Sequence, residues 1–220
     1  MELVRKTLHS ITRSRLIGLI LLCAALAFLV VLMLVGGITW LTANLVSLET
    51  QWLDTTINWI VGIVSGVGGW FMLPVLVVII SAAFQEMTIH RVEEAEYPDE
   101  VRTEEPHLWT DVLHDIRFTV KAICLNLLVL PFYLIGIGFV LSILLNSYLL
   151  GREFFESAAG YHLGKPQARE LGRKHKKMVY GSGLVITMMT LIPVVNLLAP
   201  IIAIVWMVHV YHGLTRSPAA

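Results

Sequence analysis

The sequence contains four long segments without Asp, Glu, Lys or Arg, at residues 16–48, 55–85, 122–151 and 178–215. A helix that spans a bilayer needs about 20 apolar residues, so each segment is long enough to enter a membrane. The composition agrees, because 56% of the residues are hydrophobic and 15% are charged, against about 25% charged residues in soluble domains. These features predict an all-α integral membrane protein.

The first two uncharged segments each have the length of one crossing. We expect a first transmembrane helix at 16–41 and a second helix at 58–96, which crosses the membrane and continues into the cytosol. Residues 1–15 have apolar and basic side chains on different faces of a helix, which predicts an interfacial amphipathic helix before the first crossing.

The basic residues are distributed unevenly between the uncharged segments. The loop that contains Glu49 and Asp54 has none. Because cytoplasmic loops carry an excess of Lys and Arg, this loop is expected outside and the other charged segments inside. The basic residues of those segments are Arg5, Lys6, Arg13, Arg15, Arg91, Arg102, Arg117, Lys121, Arg152, Lys165, Arg169, Arg173, Lys174, Lys176, Lys177 and Arg216.

The third and fourth uncharged segments therefore begin and end on the same side of the membrane. They are too short for two crossings of about 20 residues each, whereas two helices of about 12–15 residues fit. The helix-breaking residues near their centres are Pro131, Gly136 and Gly138, and then Pro193, Asn196 and Pro200. We expect two half-penetrating helical hairpins; the alternative is that the prolines kink ordinary spanning helices.

These elements form a single membrane domain over residues 1–220. Its expected order is an interfacial helix (1–15), a first transmembrane helix (16–41), a second one that extends into the cytosol (58–96), an acidic cytosolic loop (97–117), a first hairpin (118–151), a basic cytosolic segment (152–177), a second hairpin (178–212) and a tail (213–220).

The sequence contains no phosphate-binding loop, no Cys/His metal-binding set and no nucleophile–base pair. His209 and His212 are three residues apart on one helix, but two histidines without a third ligand are a weak signal for a metal. His90, His107 and His114 lie in the charged segment and are expected in solvent. We therefore predict neither an enzyme nor a bound cofactor or metal.

The two hairpin turns are candidate anion sites. The helix that starts at each turn has N–H groups without partners and the positive end of its dipole, and broken helices in transporters present such ends to anionic substrates. The candidate positions are 136–138 and 196–198. Arg13 and Arg15, before the first transmembrane helix, could attract the anion. The alternatives are a headgroup contact for Arg15 and a hydrogen bond between helices for Asn196.

Several motifs resemble one known family. "LIPVVNLLAP" followed by "MVHVYH" and preceded by "RKHKKMVYGSGL" resembles the C-terminal signature of the CysZ/etoposide-induced-protein family. The upstream "YLLGREFFE" and the "IGIG" break resemble its shorter bacterial members. The resemblance implies two long crossings, two half-penetrating hairpins, sulfate permeation for cysteine biosynthesis and an oligomeric assembly.

The resemblance also implies an anion site made of two arginines at the foot of the first crossing and a "FNGLLAEQLE"-like stretch after the second. Arg15 stands at the first arginine position and Leu16 at the second. The stretch "FQEMTIHRVE" keeps Phe84 and Glu93, but Gln85 stands for Asn, Glu86 for Gly and His90 for the first Glu. The substrate-binding residues predicted from the turns and the resemblance are Arg13, Arg15, Gln85, Glu93, Gly136, Gly138 and Asn196.

The leading hypothesis is an anion permease or channel for sulfate-like solutes in a bacterial inner membrane, with both termini in the cytoplasm. Its expected partners are an inorganic anion, membrane lipids and further copies of the same chain, without nucleic acid. The alternative is a membrane scaffold of the same fold that transports nothing and organises lipids or partner proteins through its acidic and basic cytosolic segments.

Overall fold

The computed structural model describes residues 2–14, 16–45, 51–101 and 108–216. Within these ranges the chain forms helices and no strand, which confirms the all-α class. The α-helices are α1 (Glu2–Arg13), α2 (Leu16–Leu45), α3 (Gln51–Ala83), α4 (Gln85–Glu96), α5 (Leu108–Val129), α6 (Gly138–Leu163), α7 (Lys165–Lys174), α8 (Lys176–Thr190), α9 (Pro193–Asn196) and α10 (Ala199–Arg216).

The helices belong to two compact units. The first, called the bundle below, comprises Met1–Ile17 and Phe84–Ala220, and the second comprises Gly18–Ala83. The second unit contains α2 and α3, which approach closely at Gly69: a Cβ atom there would lie 2.9 Å from methyl groups of both Val31 and Val35. Small residues that permit such contact are typical of helix interfaces inside membranes.

Three helical segments of the described chain are long and apolar enough to cross a membrane: Leu16–Leu45, Trp52–Leu73 and Leu113–Tyr133. Together with the helical content they show an integral membrane protein. The expected continuous helix at 58–96 differs from the structure, because α3 ends at Ala83 and α4 begins at Gln85. Phe84 between them has φ −102° and ψ 9°, outside the helical region of backbone angles.

The third uncharged segment contains a helix–turn–helix. Helix α5 ends in a 3₁₀ turn at Leu130–Tyr133, and α6 starts at Gly138. Gly136 has φ +81°, a conformation that glycine adopts without steric cost. At Gly138 a Cβ atom would lie 2.5 Å from the backbone nitrogen of Tyr133. The tight turn therefore requires glycine at both positions.

The two helices of this hairpin are longer than the expected 12–15 residues. Helix α5 has 22 residues and α6 has 26, because each continues from the uncharged segment into the charged flank. The depth to which this hairpin enters a membrane stays a prediction.

Helix α10 lies at the centre of the bundle and contacts α1, α4, α6 and α8. Nearly all of its residues from Ala199 to His212 are buried. It follows α8 through a turn and the short α9, at the predicted break of the fourth uncharged segment. Helix α1 buries Thr7 and Ser10 while Val4 and Leu8 are exposed, so its apolar stripe faces away from the bundle, as an interfacial helix requires.

Candidate functional site

A buried carboxylate lies on the inner face of α4. The buried residues of this helix are Thr88, Ile89, Val92 and Glu93, which recur with helical spacing and form one stripe. Glu93 is 0% exposed. An ionised carboxylate at such a position requires partners, because burial of an unpaired charge is strongly unfavourable.

Two histidines from other helices supply these partners. His162 Nε2 lies 2.6 Å from Glu93 Oε1, and His212 Nε2 lies 3.0 Å from the same oxygen. His162 is in the last turn of α6 and His212 in α10. We call Glu93, His162 and His212 the Glu93 cluster; it joins three helices at one end of the bundle.

A second layer of residues surrounds His212. Its Nδ1 lies 2.7 Å from Glu100 Oε2, and Arg216 Nε donates to Glu100 Oε1 over 2.6 Å. Tyr97 stacks on the imidazole of His212 with ring centroids 3.9 Å apart. His212 is therefore held between two carboxylates and has little freedom to rotate.

The two carboxylates of this end are ionised near neutral pH. Burial raises the pKa of Glu93, but the hydrogen bonds from His162 and His212 outweigh burial and lower it overall. For Glu100, partial burial likewise raises the pKa, and the bonds from Arg216 and His212 bring it below its usual value.

His209 extends the network towards α1. Its Nε2 lies 2.9 Å from Ser10 Oγ, and its Nδ1 lies 2.7 Å from Tyr97 Oη. Because one ring nitrogen of a neutral imidazole donates and the other accepts, both hydroxyls can be satisfied at once. This explains why α1 buries a polar residue, and it ties α1 to the C-terminal end of α4.

A second polar site is a cavity of about 300 Å³ between α5, α6, α7 and α8. Its charged lining residues are Lys121, Arg152, Arg169, Arg173 and Glu156. The cationic side chains outnumber the carboxylate four to one. We call this space the basic cavity; its electrostatic character suits an anion.

Arg152 is fixed in the wall of the basic cavity. Its Nε donates to Glu156 Oε1 over 2.5 Å, and its guanidinium lies over the Phe118 ring at 4.6 Å. His114 Nε2 lies 2.7 Å from the other oxygen of Glu156. The expectation that His114 lies in solvent is wrong, because this side chain is 12% exposed and paired.

The other cations of the basic cavity retain hydrogen-bonding capacity. Lys121 Nζ donates to Tyr148 Oη over 3.2 Å and has two further protons. Arg169 and Arg173, both exposed on α7, form no ion pair in the part of the chain that the structure describes. Arg169 and Arg173 also line a second hollow of about 730 Å³. The two arginines therefore lie between this hollow and the basic cavity.

The residues predicted to contact the anion are spread over the molecule. Arg13, at the end of α1, has Nη1 3.6 Å from Glu96 Oε1, and Gln85 begins α4. Gly136 and Gly138 lie at the opposite end of α6 from His162, and these 24 residues correspond to about 36 Å of helix. Gly138 and Glu93 therefore cannot contact one anion together.

Two further predicted residues complete this comparison. Asn196 ends α9 at the turn of the second hairpin, and Arg15 lies outside the described residues. The structure thus groups Arg13 and Glu93 near one end of the bundle and the three turn residues elsewhere. Their roles in anion binding stay predictions.

Sequence reasoning missed the third member of the Glu93 cluster. His162 lies 69 residues from Glu93 and 50 from His212, and no local spacing connects them. The basic residues of the cavity were recognised only as a charged surface segment. The one available signal was "LLGREFFES", where Arg152 and Glu156 stand four residues apart at the end of an uncharged segment.

The sequence matches the family model described as "Sulfate transporter CysZ/Etoposide-induced protein 2.4" over residues 3–200. No curated protein and no solved structure gave a match to this chain.

Proposed function

This chain belongs to the family of the sulfate transporter CysZ and etoposide-induced protein 2.4, and on that premise we propose that it is a membrane permease for a sulfate-like oxyanion. The family is transporter-like, which agrees with a protein built of helices that can enter a bilayer. The basic cavity is the single observation on which the assignment of anion binding to particular residues rests.

The basic cavity has the chemistry that a tetrahedral dianion needs. Guanidinium groups bind oxyanions through paired, charge-assisted hydrogen bonds, and lysine acts as a point charge. Glu156 holds Arg152 in place, while Arg169 and Arg173 can turn towards a ligand. The volume of about 300 Å³ is within the range of small-molecule sites and leaves room for bound water.

The cavity lies where the two hairpins begin. Lys121 and Arg152 flank the third uncharged segment, and Val179 and Tyr180, which also line the cavity, start the fourth. We propose that the basic cavity binds the anion at the cytoplasmic end of its path and that the hairpins form the path through the membrane. Arg13, Arg15, Gln85, Glu93, Gly136, Gly138 and Asn196 remain candidate contacts along that path.

We further propose a bacterial inner membrane, cytoplasmic termini and assembly from several copies of the chain. The first two follow from the positions of the basic residues and the shorter family members that the sequence resembles. Assembly would complete a pore that half-penetrating hairpins leave open on one side.

The test is uptake of radiolabelled sulfate by proteoliposomes that contain the purified protein. The variant Arg169→Gln/Arg173→Gln removes two cavity cations, and we expect sulfate flux to fall about tenfold or more, since a hydrogen bond to a charged group contributes about 1.5–3 kcal/mol. The control is Lys176→Gln/Lys177→Gln, which removes the same charge at exposed positions outside the cavity and should leave flux near the parent level.

Each result has a definite meaning. No sulfate flux from folded parent protein, with no flux of other oxyanions, contradicts a permease. Flux that is lost equally in the control contradicts a specific role of the cavity and assigns the effect to surface charge. Flux that stays at the parent level in Arg169→Gln/Arg173→Gln contradicts a role of these two arginines in anion binding.

A further inference from the structure

We propose that the Glu93 cluster is a binding site for a divalent transition-metal ion, with zinc as the best fit. This site shares no residue with the basic cavity, and its test does not depend on anion transport. It would join α4, α6 and α10 through one ion.

The ligand atoms are already convergent. One carboxylate oxygen of Glu93 and one ring nitrogen each of His162 and His212 all lie within 4.8 Å of one another. A tetrahedral zinc ion with bonds of about 2.0–2.1 Å separates its ligand atoms by about 3.3 Å. The present separations of 2.6 and 3.0 Å from Glu93 Oε1 differ from that value by less than about 1 Å.

An unpartnered atom also points to a ligand. Glu93 Oε2 is buried and has no hydrogen-bond partner within the described residues, although the side chain is 0% exposed. Both histidines instead crowd the other oxygen, Oε1. A metal ion could use Oε2 or share both oxygens, and it would supply the partner that the buried carboxylate lacks.

The surroundings of His212 favour a ligand role. Its Nε2 lies 3.0 Å from Glu93 Oε1. Its Nδ1, on the other side of the ring, lies 2.7 Å from Glu100 Oε2. Histidines that bind metals typically donate their second N–H to a carboxylate, and Glu100 is in that position, held by Arg216.

The charges of this end leave room for a cation. Arg216 pairs with Glu100, and within the described residues Glu93 has no Lys or Arg in an ion pair. Two imidazoles and one carboxylate are the ligands of zinc and related ions, whereas magnesium and calcium prefer oxygen ligands only. His162 is 16% exposed, which leaves an approach for the ion and a place for a water ligand.

The test uses the full chain, purified in detergent and stripped of metal with a chelator. We would titrate it with Co²⁺, whose visible absorption reports coordination by nitrogen and oxygen, and displace the Co²⁺ with Zn²⁺ in a calorimeter. The expected result is one ion per chain. His162→Gln should weaken binding about 100-fold or more, whereas His9→Gln, which removes an exposed histidine of α1, should bind as the parent does.

Glu100→Gln provides a second test because it keeps all three ligands. We expect one ion per chain with affinity about 10–100-fold lower, the usual effect of losing the group that orients a ligating histidine. Parent protein that binds no Zn²⁺ overturns the proposal regardless of how the variants fold. Binding that is equally tight in folded His162→Gln overturns it as well.

Discussion

Arg152 and Glu156 lie one helical turn apart on α6 and are 8% and 4% exposed. A pair this deeply buried gains little over an apolar pair, but the loss of one partner leaves the other charge without compensation. His114 also bonds to Glu156, so the removal of this single carboxylate leaves two side chains, Arg152 and His114, without their partner. The stability of the bundle therefore requires that each buried charge keep all of its partners.

We expect Glu156→Gln to lower the free energy of unfolding by about 3–5 kcal/mol, because Arg152 keeps its charge in a buried position. Denaturant titration of the purified protein in mixed micelles would measure it. The control is Glu170→Gln, which breaks the exposed pair with Lys174 at the same spacing and should cost about 0.5 kcal/mol or less. Equal effects would contradict the role of burial.

The residues of the candidate sites could be predicted from the sequence only in part. Glu93 was identified through a family resemblance, and its burial follows from the apolar residues beside it on α4. Its bonds to His162 and His212 require a particular rotation of α4, α6 and α10 about their axes. That rotation is set by the packing of apolar side chains between the helices, which no local sequence pattern shows. His114 looked solvated because acidic residues surround it in the chain, although its partner Glu156 lies 42 residues away.

At the scale of elements, α6 and α8 pack so closely that their backbones are in contact at Gly151 and Gly183. A Cβ atom at Gly151 would lie 2.6 Å from the carbonyl oxygen of Val179, and one at Gly183 would collide with the carbonyl oxygen of Ser147. Backbone atoms cannot move aside as a flexible side chain can, so each glycine is required where the helices meet.

Gly183→Ala should therefore lower the free energy of unfolding by about 1–3 kcal/mol through overpacking. The matched variant is Gly181→Ala on the same helix, where a Cβ atom meets nothing within 4 Å. It should be neutral or stabilising by up to about 1 kcal/mol, because alanine has the higher helix propensity. Gly183→Ala should thus lower the unfolding temperature whereas Gly181→Ala should not, and thermal unfolding followed by circular dichroism would measure both.

The elements themselves were more predictable than their contacts. Uncharged segments interrupted by proline and glycine indicated both helical turns, since a missing N–H and a positive φ act locally. The interruption at Phe84 was not predicted, because "SAAFQEM" contains neither glycine nor proline. The lengths of α5 and α6 were underestimated because charge marks where a helix leaves the membrane and not where the helix ends.

Across the bundle, the charged flanks of the uncharged segments meet. Glu156 of α6 bonds to His114 of α5, so the two ends of the first hairpin are joined at its base. The Glu93 cluster connects the end of α6 with α4 and α10. Contacts among these flanks agree with the sequence argument that they share one side of the membrane.

Cysteine labelling of intact cells tests that argument. In a chain with Cys23→Ser and Cys124→Ser, single cysteines at Asp99 and Glu170 should resist a membrane-impermeant maleimide until the cells are opened. A cysteine at Asp54 should react from outside, because its loop has no basic residue. Opposite behaviour of Asp99→Cys and Glu170→Cys would show that the segment between them crosses the membrane an odd number of times.

The Glu93 cluster also sets an order of events during biosynthesis. His212 follows Glu93 by 119 residues, and ribosomes add about 5–20 residues per second, so about 6–24 s separate the synthesis of these partners. His162 follows Glu93 by only 69 residues, so the carboxylate on α4 has neither histidine partner for about 3–14 s of that time. A nascent chain that stalls before α10 has His162 but lacks His212, so the Glu93 cluster is complete only after the last helix has been made.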